Sequence, residues 1–151
     1  MKSLRIVFIA IAFAAAGLVG CRQDDSEEIA RLVSVIDLNP DPLHGDYTPA
    51  VFSLIEHGRP AVAAVLPLLN DPDVFRRLRA KAVLDGVTAR EYGFRMGSGF
   101  PDRESEEKRR SLYRAMGDYS ADAPEDARLR SISLWREWLK RRPSSERSAA
   151  P

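Results

Sequence analysis

Tyr92 to Phe100, YGFRMGSGF, is the stretch whose residue types are best suited to holding a ligand. Three glycines (Gly93, Gly97, Gly99) are interspersed with the rings of Tyr92, Phe94 and Phe100. Such a loop can turn backbone amides toward an anion and set apolar faces beside a ring, with Arg95 free to meet a carboxylate. It is not a phosphate loop, because the Gly-Lys-Ser/Thr ending is missing. The simpler reading is a tight connector whose aromatics plug the end of a helical body, Arg95 reaching an acid on a neighbouring helix.

The other residues with chemical potential are sparse. His44, Asp46 and His57 are the only histidine-containing set, and two histidines separated by a helix start fall short of the close, supported pairs that zinc requires. No metal site is expected. There is no nucleophile elbow, no catalytic cysteine and no triad, and the carboxylates are scattered along solvated helix faces, so no acid and base pair can be chosen. The expectation is therefore a protein that is not an enzyme and carries no cofactor. The basic run Arg76-Arg77-Leu78-Arg79-Ala80-Lys81 spreads its charge around a helix and reads as a solvated face.

Cys21 is the only thiol of the 151 residues. It follows a basic start, MKSLR, and an uncharged, mostly apolar run from Ile6 to Gly20, shorter than the roughly 20 residues that span a bilayer core. A basic start, a short apolar middle and small residues at the end form an export-signal pattern. Leu18-Val19-Gly20-Cys21 resembles the lipobox of bacterial lipoproteins. That resemblance implies a signal over 1–20, cleavage before Cys21, and acyl chains on its sulfur and new amine. One chain holds marginally and two or more anchor stably. It also implies a place in the bacterial envelope. Arg22, where aspartate would favour inner-membrane retention, points to the outer membrane facing the periplasm. The rival readings are an uncleaved anchor helix, or an ordinary signal with an incidental cysteine.

Lys2 and Arg5 are the only charges in residues 1–20, so the formal net charge falls from +1 for the whole chain to −1 beyond them. That balance gives no electrostatic case for nucleic acid. With Cys21 acylated no thiol remains for a disulfide, and stability must come from packing.

The elements that position these residues read as helices. Residues 21–28 form a polar tether, with Asp25 and Glu28 as a capping box. Ile29, Leu32, Val33 and Ile36 then share one helix face. The segment NPDPLHGDY stops that helix, and Thr48-Pro49 starts the next. The pattern predicts helices over about 49–57, from Pro60 to about Leu69 with tightening near Pro67, and from Pro72 to about Asp85. A polar helix over 103–116 turns Leu112, Tyr113 and Met116 inward. Another over 124–141 has Ile132, Trp135 and Leu139 in one stripe, flanked by Leu134 and Trp138. Trp135 and Trp138 read as core anchors, or else as partly exposed interface positions.

The piece from Ala50 to Val87 resembles a bacterial HEAT-like repeat: Ala50 and Leu54, Gly58, Ala61, Leu66, Leu68, Leu69 and Asp71, then a restart at Arg77, Ala80 and Leu84. Ala50 to Ala80 and Leu54 to Leu84 are each thirty residues apart. Arg76 departs from the family's usual apolar residue, and no third copy follows Thr88. The resemblance implies an all-α fold, a short stack of antiparallel helical hairpins over 29–142 with C-terminal helices capping it. Residues 143–151 lack the apolar content to fold. The implied function is that of a lipid-anchored interaction domain with an envelope protein partner. A ligand-binding or enzymatic lipoprotein using the 92–100 loop is the alternative.

Overall fold

A computed structural model describes residues 16–141, with side chains described from Asp24 onward. Most of the expected signal (1–20) and the tail expected over 143–151 lie outside the described residues. Among the described residues the chain is all-helical, with no strand, as its periodicity predicts. The helices are α1 (Ala16–Ser34), α2 (Pro49–Glu56), α3 (Arg59–Val65), α4 (Val74–Glu91), α5 (Arg103–Ala115) and α6 (Glu125–Leu139), with a 3-10 turn at Leu66–Asn70.

Chain direction follows from a few bonds. Thr48 caps α2 by accepting from the Val51 amide at 3.1 Å, and its hydroxyl donates to the Ile36 carbonyl at 3.1 Å. The end of α1 is thereby tied to the start of α2, and the two helices run antiparallel. Gly58, at φ 66°, reverses the chain into α3, a conformation that costs glycine little. Pro67 tightens the end of α3 into the 3-10 turn, as expected. Two ends result. One gathers the stretch of α1 around Asp25 and Ile29, the α2–α3 turn and the C-termini of α4 and α6; the other gathers the α1–α2 connection, the 3-10 turn and the α5–α6 connection.

Helix α4 lies at the centre, packed against α2, α3 and the 3-10 turn. It begins at Val74 with Asp73 as its cap, not at Pro72, and runs on to Glu91, beyond the expected end at Asp85. Val87 and Thr88 account for the extension: both are buried, and the Thr88 hydroxyl donates back to the Leu84 carbonyl at 2.8 Å. Ala80, Val83, Leu84 and Val87 meet Ala50, Val51, Leu54, Ala61, Val62 and Val65 in one core. Each fully buried valine or leucine contributes about 1.5–3 kcal/mol relative to leaving it exposed.

The lead-in also differs from expectation. Helical backbone continues back through 21–28, so Asp25 is not at a helix start, and Glu28 pairs with Arg31 at 2.6 Å instead of closing a capping box.

The basic run is not a solvated face. Arg79 is buried and donates to Asp37 at 2.5 Å, while Arg76 lies 3.1 Å from both Asp37 and Asp71. Arg77 donates to the carbonyls of Ala121, Asp71 and Pro72 at 2.8, 2.7 and 2.9 Å. Lys81 pairs with Asp85 at 2.5 Å. Each cation ties α4 to itself or to a neighbouring segment. At the other end of α4, Arg59 donates two bonds to Glu91, at 2.6 and 3.0 Å, and one to the Arg141 carbonyl at 2.7 Å. Its guanidinium also sits 3.9 Å from the centre of the Trp138 ring.

Tyr119 joins the α5–α6 connection to the 3-10 turn by donating to the Leu69 carbonyl at 2.6 Å. Burial pushes its phenol up to about 12, against the pull of Arg77 and Arg128. The folded chain therefore holds this proton more tightly than the unfolded chain. Its contribution is intact below the ordinary phenol value of about 10 and is lost as pH rises toward about 12. Tyr119→Phe should lose about 1 kcal/mol at neutral pH, the net value of one hydrogen bond. Denaturant titrations across that alkaline window should then show a shallower decline for the variant than for the parent.

Candidate functional site

Helix α4 ends in a Schellman turn that sets the direction of the glycine and aromatic loop. Gly93, at φ 83°, donates to the Arg90 carbonyl at 2.9 Å, and Phe94 donates to the Ala89 carbonyl at 3.0 Å. A tight hairpin follows, in which Arg95 and Gly99 exchange backbone bonds of 2.9 and 2.8 Å. Gly97 and Gly99 take positive φ of 85° and 79°, where a side chain would be strained. Phe94 and Phe100 meet edge to face at 5.2 Å, which closes the base of the hairpin.

The hairpin overhangs a cleft of about 480 Å³. Helix α2 supplies Phe52, Ile55 and Glu56, and α4 supplies Asp85, Gly86, Ala89 and Arg90. The loop adds Phe94, Arg95, Met96 and Phe100, α5 adds Arg109, and Tyr47 enters from the α1–α2 connection. Phe52, Phe94 and Met96 are exposed, and Tyr47 stacks on Phe52 at 5.3 Å.

The floor is polar. Asp85 accepts from Lys81, Arg109 and the Tyr113 hydroxyl. Burial first, and then the Asp85 carboxylate, pushes the Tyr113 phenol far above its ordinary range. Burial also raises Tyr47, with Asp46 and Asp85 adding to the effect. At the rim Arg90 pairs with Glu56 at 2.6 Å. Arg95 has no ion-pair partner among the described residues.

The expected residues divide accordingly. Phe94, Arg95 and Phe100 come together in the cleft. Tyr92 does not: it lines a separate hollow with Gly93, Pro101 and Lys108. Trp135 and Trp138 are not interface positions, because both are buried, and they meet edge to face at 5.2 Å inside the core. The anion-binding amides are largely consumed, since those of Gly93, Phe94, Arg95, Ser98 and Gly99 bond within the loop or to the end of α4. Arg95 also does not reach an acid on a neighbouring helix.

Phe52, Tyr47, Asp85 and Arg109 were not legible as site residues. Tyr47 and Phe52 lie far from the loop in sequence, Asp85 and Arg109 flank it on separate helices, and the four carry no shared motif. His44 lies 3.5 Å from Asp41, His57 caps the end of α2, and no group of three His, Cys, Asp or Glu among the described residues could hold a metal ion. The main chain of residue 21 lies within α1. Among the described residues no helix is long and apolar enough to cross a membrane. No protein-family model, curated protein or solved structure matches the chain.

Helices α2 and α4 approach closely at Gly86, which lines the cleft together with Ile55. A Cβ there would stand 2.4 Å from Ile55 Cδ1 and 2.7 Å from Ile55 Cγ1. Alanine in a helix gains about 1 kcal/mol over glycine, while forcing a methyl into packed space costs about 1–3 kcal/mol. The clash involves the inner part of Ile55 as well as its tip, so the cost should win. Gly86→Ala should lower the denaturation midpoint. Paired with Ile55→Ala, it should cost less than the sum of the single changes, as a double-mutant cycle would record.

Proposed function

We propose that this chain is a bacterial envelope lipoprotein, held to the membrane by acyl groups on Cys21, whose helical body docks a protein partner without catalysing a reaction. The lipobox residues Leu18 to Cys21 support the anchor. Outer-membrane placement facing the periplasm rests on Arg22. The HEAT-like hairpin stack is part of the same reading, supported by the burial of Ala50, Leu54, Ala80 and Leu84 at their thirty-residue spacing.

The cleft is the observation that supports docking. Exposed Phe52, Phe94 and Met96 surround Arg95, whose guanidinium has no ion-pair partner among the described residues. Apolar anchors beside a free cation suit a partner segment that offers aliphatic or aromatic side chains and a carboxylate. A photo-crosslinking residue in place of Phe52, in intact membranes, should give a discrete adduct that Arg95→Glu abolishes. An adduct indifferent to Arg95 would overturn the cleft as the docking site. Cys21→Ser should move the protein into the soluble fraction, and unchanged membrane retention would overturn the anchor.

A second reading takes the cleft as a small-molecule site, because its volume lies in the roughly 300–1,000 Å³ range of ligand pockets. In that case a carboxylate-bearing apolar compound should raise the melting temperature of the parent protein and leave that of Arg95→Glu unchanged.

A further inference from the structure

The cleft and its floor hold more positive charge than their own carboxylates answer. We propose that the docked partner segment carries two carboxylates beside its apolar anchor, and that Arg109 receives the second while Arg95 receives the first. The assignment deepens the docking reading and stands only if the cleft is the docking site.

Five charged side chains line the cleft: Glu56, Asp85, Arg90, Arg95 and Arg109. Glu56 is taken by Arg90 at 2.6 Å. Asp85 is taken by Lys81, which donates to Oδ2 at 2.5 Å, and by the Tyr113 hydroxyl, which donates to Oδ1. Burial, and then Asp85, keeps the Tyr113 phenol protonated, so it adds no charge. Lys81, Arg95 and Arg109 are thus three cations against the single carboxylate of Asp85. Two positive charges remain, and two carboxylates match them.

Arg109 is the poorly paired member of this cluster. Only its Nη2 reaches Asp85, at 3.3 Å to both the carbonyl oxygen and Oδ1. A charge-assisted bond to a carboxylate is ordinarily about 2.7–2.9 Å, and the guanidinium fork is shaped to meet one with two donors. Its Nε is buried without a hydrogen-bond partner, and its guanidinium carbon lies 4.8 Å from the centre of the Tyr113 ring. The side chain is 23% exposed, so it is open to an occupant of the cleft.

Arg95 enters from the hairpin and Arg109 from α5, and the rings of Phe52, Phe94 and Phe100 line the same space. Two cations on separate elements, with rings beside them, suit an acidic segment around an aromatic or large aliphatic residue better than one compact dianion.

The probe is a pentapeptide, Gly-Glu-Phe-Glu-Gly, dye-labelled at one end and amidated at the other so that neither terminus adds charge. Its companions replace one glutamate or both by glutamine. With the full chain in detergent micelles, fluorescence anisotropy should show affinity falling roughly three- to ten-fold for each glutamate removed, as for a charged hydrogen bond at a partly exposed site. On Arg109→Gln the two-acid peptide should bind no better than the one-acid peptides. Arg109→Lys keeps a charge beside Asp85 and should preserve part of the preference. Thermal melting follows both variants, and the peptide series on the parent chain carries the test if Arg109→Gln unfolds. Equal affinity of one-acid and two-acid peptides for the parent, with binding lost in Arg95→Glu, would overturn the second carboxylate and leave the docking reading standing. A preference for two acids that survives unchanged in Arg109→Gln would overturn the role of Arg109. Binding of no peptide, while the adduct at Phe52 still depends on Arg95, would overturn the two-acid segment alone. An adduct indifferent to Arg95 would remove the docking reading, and this assignment with it.

Discussion

Every other part of the body depends on the burial of α4. Its small and branched side chains, Ala80, Val83, Leu84 and Val87, leave little space between this helix and α2, α3 and the 3-10 turn. Gly86 brings α2 closer still, with Ile55 filling the space where a side chain would start. Close-packed interiors respond to single methyl groups, so the position of α4 is set within narrow limits. That position then sets where the 92–100 hairpin begins.

Arginine does the work that cross-links do in many small domains. Arg79 and Arg76 tie α4 to Asp37, Arg77 ties it to the α5–α6 connection, and Arg59 joins α3, α4 and the end of α6. Three of these four reach backbone carbonyls as well as carboxylates or in place of them. They satisfy carbonyls in the connections between helices and after α6, where the planar fork of arginine offers several fixed donors at once and lysine does not. Tyr119 and Ser131 have the same role with neutral groups, donating to the carbonyls of Leu69 and Met116.

The cleft follows from these constraints without any motif of its own. A Schellman turn at Gly93 directs Phe94 back toward Ala89, and the hairpin then covers the groove between α2 and α4. The polar cluster around Asp85 lies below it because Lys81, Asp85 and Arg109 are held there by helix packing. The same hairpin therefore gives the cleft its lip and gives the body an exposed apolar tip at Met96.

Local rules were enough to read much of this protein from its residues. Period and punctuation marked the helices: Thr48-Pro49 and Gly58 bound α2, Pro67 tightens α3, and Leu112, Tyr113 and Met116 turn inward, because caps, prolines and apolar spacing act within one or two turns. The end of α4 was not legible, since Thr88 and Val87 continue the helix only once neighbours bury them. Nor was the role of the basic run, because Asp37, Ala121 and the α1–α2 connection reach it from distant segments. In the loop, the glycines and rings announced a turn, but whether Tyr92 or Phe94 faced the cleft depended on the direction in which α4 released the chain. Trp135 and Trp138 show the same division. Their helical spacing already marked them as core anchors, and both are buried, whereas which helices close over α6 is a long-range choice that no local pattern encodes.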